Sequence, residues 1–133
     1  MMIKGSLVAL VTPMQADGSV DKKSLHDLVE WHLANKTNGF VIAGTTGEGS
    51  TLTEDEQSEI IAAVAKQVAG RVPVIAGTGT LSTEHTIHLT RNAQKAGATA
   101  ALIVTPYYNK PSQKGLLQHY KKIAENASLP IIL

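Results

Sequence analysis

Two adjacent threonines in a glycine-rich segment are well suited to bind a small anion. They are Thr45 and Thr46, within the segment Gly-Thr-Thr-Gly-Glu-Gly-Ser at positions 44–50. Glycines let the backbone approach a ligand closely, and successive amide N–H groups together with two hydroxyls suit a carboxylate oxygen. The same composition also suits a tight turn that merely links a strand to a helix. The segment therefore predicts a carboxylate site, with a structural turn as the alternative.

A second group of chemically versatile side chains lies in residues 105–111, which read Thr-Pro-Tyr-Tyr-Asn-Lys-Pro. Tyr107 and Tyr108 are two of the three tyrosines in the chain. The prolines on both sides restrict the loop, so a phenol hydroxyl can be held rigidly enough for a proton relay. The two rings could instead cover the core or anchor a contact between subunits.

Other kinds of site have little support in the sequence. Residues 44–50 match neither phosphate-loop pattern, and the Gly-Thr-Gly-Thr at 77–80 is more typical of a structural turn. The chain has no cysteine, no His-Glu-x-x-His and no Gly-x-Ser-x-Gly, so we expect neither a metal site nor a serine nucleophile. The five histidines fall on predicted helices, where surface or packing roles are expected.

Apolar runs alternate with helix-start signals and predict a series of βα units. The run Val-Ile-Ala-Gly-Thr occurs at 41–45 and again at 74–78, about one such unit apart. The pattern predicts strands over 6–11, 40–43, 72–76, 98–105 and from 129 onward. Helices should start near Asp21 or Ser24, at Thr53, at Ser82 or Thr83, and at Ser112. In parallel strands both chemical segments then lie at the carboxyl ends, where α/β proteins place their sites.

The composition indicates one compact domain of ordinary character. The chain has 133 residues, of which 43% are hydrophobic and 17% charged, with a net charge of +1. Its basic residues are scattered, so we expect no nucleic-acid partner and no binding to a membrane surface. The absence of cysteine and of any apolar run near the roughly 20 residues of a membrane span predicts a cytoplasmic protein.

Two architectures fit this pattern. A small doubly wound open sheet suits the length. A (β/α)₈ barrel needs about 250 residues, so this chain would supply its first four βα units and a fifth strand. The last residues, Ile-Ile-Leu, are unusually apolar for a domain terminus. We therefore also expect residues 1–133 to be the N-terminal part of a single TIM-barrel domain, truncated within the fifth strand.

Four segments decide between these architectures, because together they resemble the dihydrodipicolinate synthase family. They cover residues 5–13, 44–48, 73–79 and 104–111, in the family's order. The resemblance implies a TIM-barrel lyase that condenses pyruvate with aspartate semialdehyde to 4-hydroxy-tetrahydrodipicolinate in lysine and diaminopimelate biosynthesis. Other pyruvate aldolases, such as N-acetylneuraminate lyase, share the Gly-x-Thr-Gly-Glu theme and are the alternative. They typically carry Ser at the position of Thr45 and lack the Tyr-Tyr-Asn-Lys-Pro loop.

The resemblance also implies roles for individual residues. Thr45 matches the threonine of a proton relay, and Thr46 matches the threonine that binds the pyruvate carboxylate. Tyr108 matches a tyrosine that reaches across a tight dimer interface into the neighbour's site. Tyr107 matches one that lines the lysine-inhibition pocket between subunits. The family thus implies a homo-oligomer, a dimer or tetramer joined through this loop, which works without a metal or cofactor through a lysine Schiff base.

Two departures from the family pattern limit this implied function. The Schiff-base lysine and the relay's other tyrosine match positions beyond Leu133, so the chain by itself is predicted to be inactive. Lysine-sensitive members carry Asn and Glu where this chain has Leu81 and His85, and several carry His in place of Glu54 and Gln57, which argues against inhibition by lysine. A non-catalytic half barrel that assembles through its strand edges is a further hypothesis.

Overall fold

The computed structural model describes residues 3–133, and in them five strands alternate with four helices. The strands are β1 (Leu7–Ala9), β2 (Gly39–Ile42), β3 (Val74–Gly77), β4 (Ala100–Leu102) and β5 (Ile131–Ile132). The helices are α1 (Lys22–Ala34), α2 (Glu54–Val68), α3 (Thr83–Lys95) and α4 (Gln113–Asn126). The predicted succession of elements is confirmed, although most strands are shorter than predicted. No helix within residues 3–133 is both long enough and apolar enough to cross a membrane.

The strand order distinguishes the two predicted architectures. All four strand pairs are parallel, and the strands lie side by side in the order β1-β2-β3-β4-β5. A doubly wound sheet reverses its strand order at one point, and this sheet does not. Consecutive helices contact each other, as they do when every crossover winds the same way. The doubly wound alternative is therefore wrong, and the sheet has the winding of a barrel.

Side chains at the four helix starts fix where each loop ends. Asp21, Thr53, Ser82 and Ser112 are the N-caps, all within the predicted choices. Thr53 forms a complete capping box, because its hydroxyl accepts from the amide of Glu56 at 3.2 Å while the Glu56 carboxylate accepts from the amide of Thr53 at 2.8 Å. Such a cap contributes about 1 kcal/mol, and here it holds the loop after β2 at its far end.

The repeated Val-Ile-Ala-Gly-Thr runs do not occupy equivalent positions in the sheet. Val41 pairs with Ile75 rather than with Val74, so the two copies are offset by one residue. Because side chains alternate between faces of a strand, the offset exchanges the faces of the two copies. Val74 packs into the core beneath the helices, whereas the equivalent Val41 points to the opposite face. The two runs also end differently, since Thr45 is exposed and Thr78 is buried.

The main core lies between the sheet and the helices. Phe40 is fully buried there against the apolar stripe of α2, which has the predicted members Ile60, Ile61, Val64 and Val68. On the face opposite the helices, Val11 and Val104 are each 50% exposed. The sheet therefore has one covered face and one face with exposed apolar side chains.

The predicted apolar stripe of α4 needs one correction. Leu116, Leu117, Tyr120 and Ile123 were all expected to face inward, but Leu117 is 65% exposed. Ile123 is fully buried, and positions three, four and seven residues before it share its face of the helix. Leu117 lies six residues before Ile123 and falls outside this stripe, whose buried member in its place is His119.

His119 is a buried histidine between α3 and α4. Its Nδ1 lies 2.9 Å from the hydroxyl oxygen of Thr83, while its Nε2 has no hydrogen-bond partner among the residues that the structure describes. Burial lowers the pKa of His119 below its ordinary value of 6.5. The folded chain therefore favours the neutral imidazole.

This burial predicts acid sensitivity near neutral pH. When the pKa of a histidine is lower in the folded than in the unfolded state, the folded state has its full stability at pH values above the unfolded pKa. This stability is lost as the pH falls from 6.5 towards the folded pKa, because protons then bind more strongly to the unfolded chain. We expect the free energy of unfolding to fall between pH 7 and pH 5 in the native chain and to change less in His119→Gln. Urea unfolding at several pH values measures this. The exposed His26 supplies the control, and equal pH profiles for His119→Gln and His26→Gln would contradict the assignment.

Candidate active site

The loop that carries the two threonines is closed by its own backbone and by two distant side chains. The amide of Glu48 donates to the carbonyl of Thr45 at 3.1 Å, and the amide of Gly49 donates to the carbonyl of Gly44 at 3.1 Å. The Thr12 hydroxyl donates to the carbonyl of Gly47 at 2.7 Å, and Nε2 of Gln57 donates to that of Gly49 at 2.6 Å. These bonds give the loop after β2 a fixed shape.

The same loop contacts the end of β3 at very short range. Ala43 directly follows β2 and has a φ of 53°, an uncommon value for a residue with a side chain. Its carbonyl oxygen lies between two glycines, such that a Cβ at Gly49 would approach it to 2.0 Å and one at Gly77 to 2.5 Å. Only glycine fits at these two positions, because the neighbouring backbone has no room to move.

Thr45 and Thr46 are both exposed at the carboxyl end of β2, as the sequence predicts. None of the hydrogen bonds formed within residues 3–133 uses the amide N–H of either threonine as a donor. The two hydroxyls and the two amides are thus available to an external acceptor. Adjacent amides of this kind are typical of anion sites in loops.

A cleft of about 680 Å³ lies at the carboxyl ends of β2, β3 and β4. Thr45 and Tyr107 both line it, together with backbone of the loops after β2 and β3. Thr46 and Tyr108 do not line this cleft within the described part of the chain. The structure thus brings together one predicted relay residue and one predicted inhibition-pocket residue, and it leaves the other two predicted site residues exposed beside them.

The tyrosine loop is anchored at its base and exposed at its tip. Pro106 is buried, and the side-chain amide of Asn109 donates to the carbonyl of Leu81 at 3.1 Å, which ties this loop to the one after β3. Tyr107 is 54% exposed and Tyr108 is 86% exposed. An aromatic side chain this exposed is common where a second protein surface covers it.

The turn at 77–80 is held by a chain of threonine hydroxyls. Thr78 is buried with its hydroxyl 2.9 Å from that of Thr90, and the Thr80 hydroxyl lies 3.1 Å from that of Thr86. The amide of Thr80 also donates to the Thr86 hydroxyl at 3.0 Å. The sequence-based interpretation of this segment as a structural turn agrees with these contacts, which fix one wall of the cleft.

A carboxylate and two imidazoles meet at the edge of the cleft, an association that the sequence does not predict. The carboxylate oxygens of Glu54 lie 3.0 Å from Nε2 of His85 and 2.8 Å from Nε2 of His88. Hydrogen bonds hold the pKa of Glu54 below its ordinary value of 4.5, the larger effect coming from His85 and the smaller from His88. Glu54 and His85 line the cleft, and His85 is exposed there, as the predicted surface role requires. Its position in the first turn of α3, three residues after the cap Ser82, was the available signal.

Within residues 3–133 no group of three or more metal-ligating side chains has a geometry that could hold a metal ion. Two exposed hydroxyls and two amides unpaired within this part of the chain, those of Thr45 and Thr46, lie beside a cleft that has the Tyr107 phenol on its wall. Amide and hydroxyl groups of this kind are chemically able to bind an anion, and a hydroxyl or a phenol is able to transfer a proton. No lysine, the side chain whose amine could form a Schiff base with a carbonyl compound, lines the cleft among the described residues.

Comparison with known proteins gives one consistent family. The model of the Dihydrodipicolinate synthetase family matches residues 2–133. The 4-hydroxy-tetrahydrodipicolinate synthase of Coxiella burnetii is 57% identical over 132 residues, which are 99% of this chain and 46% of that protein. The enzyme of the same name from Neisseria meningitidis serogroup B is 55% identical over 99% of this chain and 45% of its own length. The chain thus spans about half the length of the curated relatives that it matches.

Solved structures show the same relationship in three dimensions. The dihydrodipicolinate synthase of Acinetobacter baumannii, solved in complex with pyruvate, has a TM-score of 0.97 and 56% identity over 99% of this chain and 45% of its own. The Thermotoga maritima enzyme has a TM-score of 0.95 and 46% identity over 98% of this chain and 44% of its own. The predicted half barrel and the predicted resemblance are both confirmed. This chain belongs to the dihydrodipicolinate synthetase family, and its five strands and four helices are the first half of a (β/α)₈ barrel.

Proposed function

We propose that this chain forms the first half of a synthase that condenses pyruvate with aspartate semialdehyde to 4-hydroxy-tetrahydrodipicolinate in lysine and diaminopimelate biosynthesis. The observation that carries the proposal is the exposed pair Thr45 and Thr46, whose amides are unused at the carboxyl end of β2. The names of the relatives support it, as does the pyruvate complex of the A. baumannii enzyme. On this proposal residues 1–133 are the N-terminal part of one barrel domain.

Each site residue has a role that its position suits. Thr46 binds the pyruvate carboxylate through its hydroxyl and amide, since both groups are free to donate. Thr45 lines the cleft, and its hydroxyl passes a proton during the condensation. Tyr108 reaches into the site of a neighbouring subunit in a homo-oligomer, and Tyr107 lines a pocket where subunits meet. The exposure of both rings supports a contact of this kind.

The nucleophile of the reaction comes from outside these residues on this proposal. A Schiff base needs a neutral amine, which attacks the keto carbon of pyruvate and expels water. Every lysine of the chain is exposed, and none lines the cleft. Moreover, the Asp27 carboxylate beside Lys23 raises the pKa of that amine above its ordinary 10.5, the opposite of what a nucleophile requires. The chain alone therefore binds pyruvate without forming the covalent intermediate.

Pyruvate binding and covalent trapping test the two parts of this proposal separately. We expect ligand-observed NMR to detect [¹³C]pyruvate binding to the native chain, and Thr46→Val to weaken it about tenfold through the lost hydrogen bond to a charged group. Thr99→Val is the matched control, because Thr99 makes its hydrogen bonds with Val74 at the opposite end of the sheet. In parallel, treatment with pyruvate and borohydride should leave the mass of every lysine unchanged. A lysine adduct would refute the inactivity, and equal affinities for the two variants would refute the carboxylate site.

The exposed apolar side chains opposite the helices favour a second function. In it, the chain is a non-catalytic half barrel that assembles with another chain. Val11 and Val104 are each 50% exposed. Contact with a further layer of protein would remove this surface from water. A chain completed with the second half of a relative's barrel separates the two functions, because an assembly module would gain no activity.

A further inference from the structure

Thr12 connects the end of β1 to the loop that carries Thr45 and Thr46. Its side chain is 7% exposed, and its hydroxyl donates to the carbonyl of Gly47 at 2.7 Å across a sequence separation of 35 residues. A buried hydroxyl with a short, directed bond to a loop carbonyl restrains the position of that peptide group. Thr12 lies outside the residues assigned a role in binding or proton transfer.

The bonded carbonyl lies at a sensitive place in the loop. The hydrogen bond from the Glu48 amide to the Thr45 carbonyl makes Thr46 and Gly47 the two central residues of a turn. Glu48, directly after them, has a φ of 54°, so the peptide group between Gly47 and Glu48 has an uncommon orientation. The Thr12 hydroxyl therefore holds the peptide group that ends the turn and, through it, the direction of the preceding amides.

The atoms under the turn are packed so closely that they leave no room for the loop to rearrange if the hydrogen bond from Thr12 is lost. A Cβ at Gly47 would lie 2.8 Å from the carbonyl oxygen of Leu10 and 3.3 Å from the Thr12 hydroxyl oxygen. The turn thus rests directly on the end of β1. At its other side, the Gln57 amide holds the carbonyl of Gly49 at 2.6 Å, which is the second anchor of the same loop.

We propose that Thr12 is a positioning residue that aims the Thr46 donors at the pyruvate carboxylate and fixes the position of the neighbouring Thr45 hydroxyl, with Gln57 as the second anchor. The inference rests on the proposed carboxylate site, whose donors are useful only if they point at one place. Preorganised donors bind an anion without first rearranging, so affinity depends on what holds them. Thr12 acts through the Gly47 carbonyl and touches no substrate.

Two substitutions at position 12 separate the hydroxyl from the side-chain volume. Thr12→Val keeps the branched shape and removes the donor, and Thr12→Ser keeps the donor. We expect Thr12→Val to weaken [¹³C]pyruvate binding about tenfold and to speed amide hydrogen exchange in peptides spanning residues 44–52 by a similar factor, as the loss of one hydrogen bond allows. Thr12→Ser should restore both quantities to near the native values.

Thr99→Val controls for the general loss of stability, because it removes a comparable threonine hydrogen bond far from the loop. It should leave the exchange of residues 44–52 and the pyruvate affinity unchanged. If Thr12→Val and Thr99→Val behave alike in both measurements, Thr12 is a structural residue only and the inference is overturned. If the native chain binds no pyruvate while Thr12→Val still speeds exchange in the loop, the carboxylate site fails but the restraint of the loop by Thr12 is supported.

Discussion

Gly49→Ala is expected to lower the free energy of unfolding by about 3 kcal/mol and to abolish detectable pyruvate binding. An added Cβ would lie 2.0 Å from the carbonyl oxygen of Ala43 and 2.8 Å from its carbonyl carbon. Both are backbone atoms at the end of β2, and the same carbonyl oxygen is already close to Gly77 on its other side. The loop therefore has to open, and opening breaks the bonds that Gly49 makes with Gly44 and Gln57.

Gly44→Ala is the matched control within the same loop. Its Cβ would make an ordinary contact at 3.4 Å with the Val41 side chain, so we expect stability to change by less than about 0.5 kcal/mol. Urea unfolding followed by circular dichroism measures both variants, and the pyruvate titration gives the functional effect. Similar unfolding free energies for the two variants would mean that the loop adapts to a side chain at position 49.

The sequence predicted most reliably the features that depend on neighbours in the chain. The capping box at Thr53 and Glu56 and the apolar stripe of α2 involve residues three or four apart, so both are visible in the sequence. The hydroxyls and tyrosines of the two chemical segments were also predicted to lie at the carboxyl ends of the strands, because parallel strands bring these ends to one edge. Thr45, Thr46, Tyr107 and Tyr108 are all exposed there.

Features that depend on register and on distant contacts could not be predicted. The two Val-Ile-Ala-Gly-Thr runs have the same sequence, and only packing beneath the helices sets the one-residue offset that buries Thr78 and exposes Thr45. The bond from Thr12 to Gly47 joins residues far apart in sequence, and a threonine before a proline has no distinguishing pattern. The pairing of Glu54 with His85 likewise requires that α2 and α3 be neighbours.

The expectations of an oligomer, of a cytoplasmic location and of particular roles for the four site residues stay predictions. The structure shows where these side chains lie, and the relatives show the family. Roles that require a second subunit depend on atoms other than those of residues 3–133. Adding the second half of a relative's barrel is therefore the most decisive experiment on this chain.

A single chain that joins residues 1–133 to the second half of the A. baumannii relative is expected to gain synthase activity. That relative is 56% identical over the shared half and superimposes with a TM-score of 0.97, so the two halves should fit without large rearrangement. In the closed barrel, strands of the added half pair with the free edges of β1 and β5. The side chains of Val11 and Val104 are then covered by the barrel interior. Treatment with pyruvate and borohydride should then give about one adduct per chain, on a lysine of the added half, because no lysine of residues 3–133 lines the cleft.

The closed chain also allows the relay to be distinguished from pyruvate binding. Thr45→Val should lower kcat by a factor of about 10² to 10⁴, the usual contribution of a positioned proton-transfer group, while the borohydride adduct still forms. Thr46→Val should mainly raise the KM for pyruvate, since it removes a contact made before any bond changes. A closed, folded chain that forms no adduct would remove the basis of the proposed function. If an adduct forms without condensation, the contribution of this half of the barrel is limited to pyruvate binding. Trapping with borohydride requires only the imine, whereas condensation also requires proton transfer at the cleft that Thr45 lines.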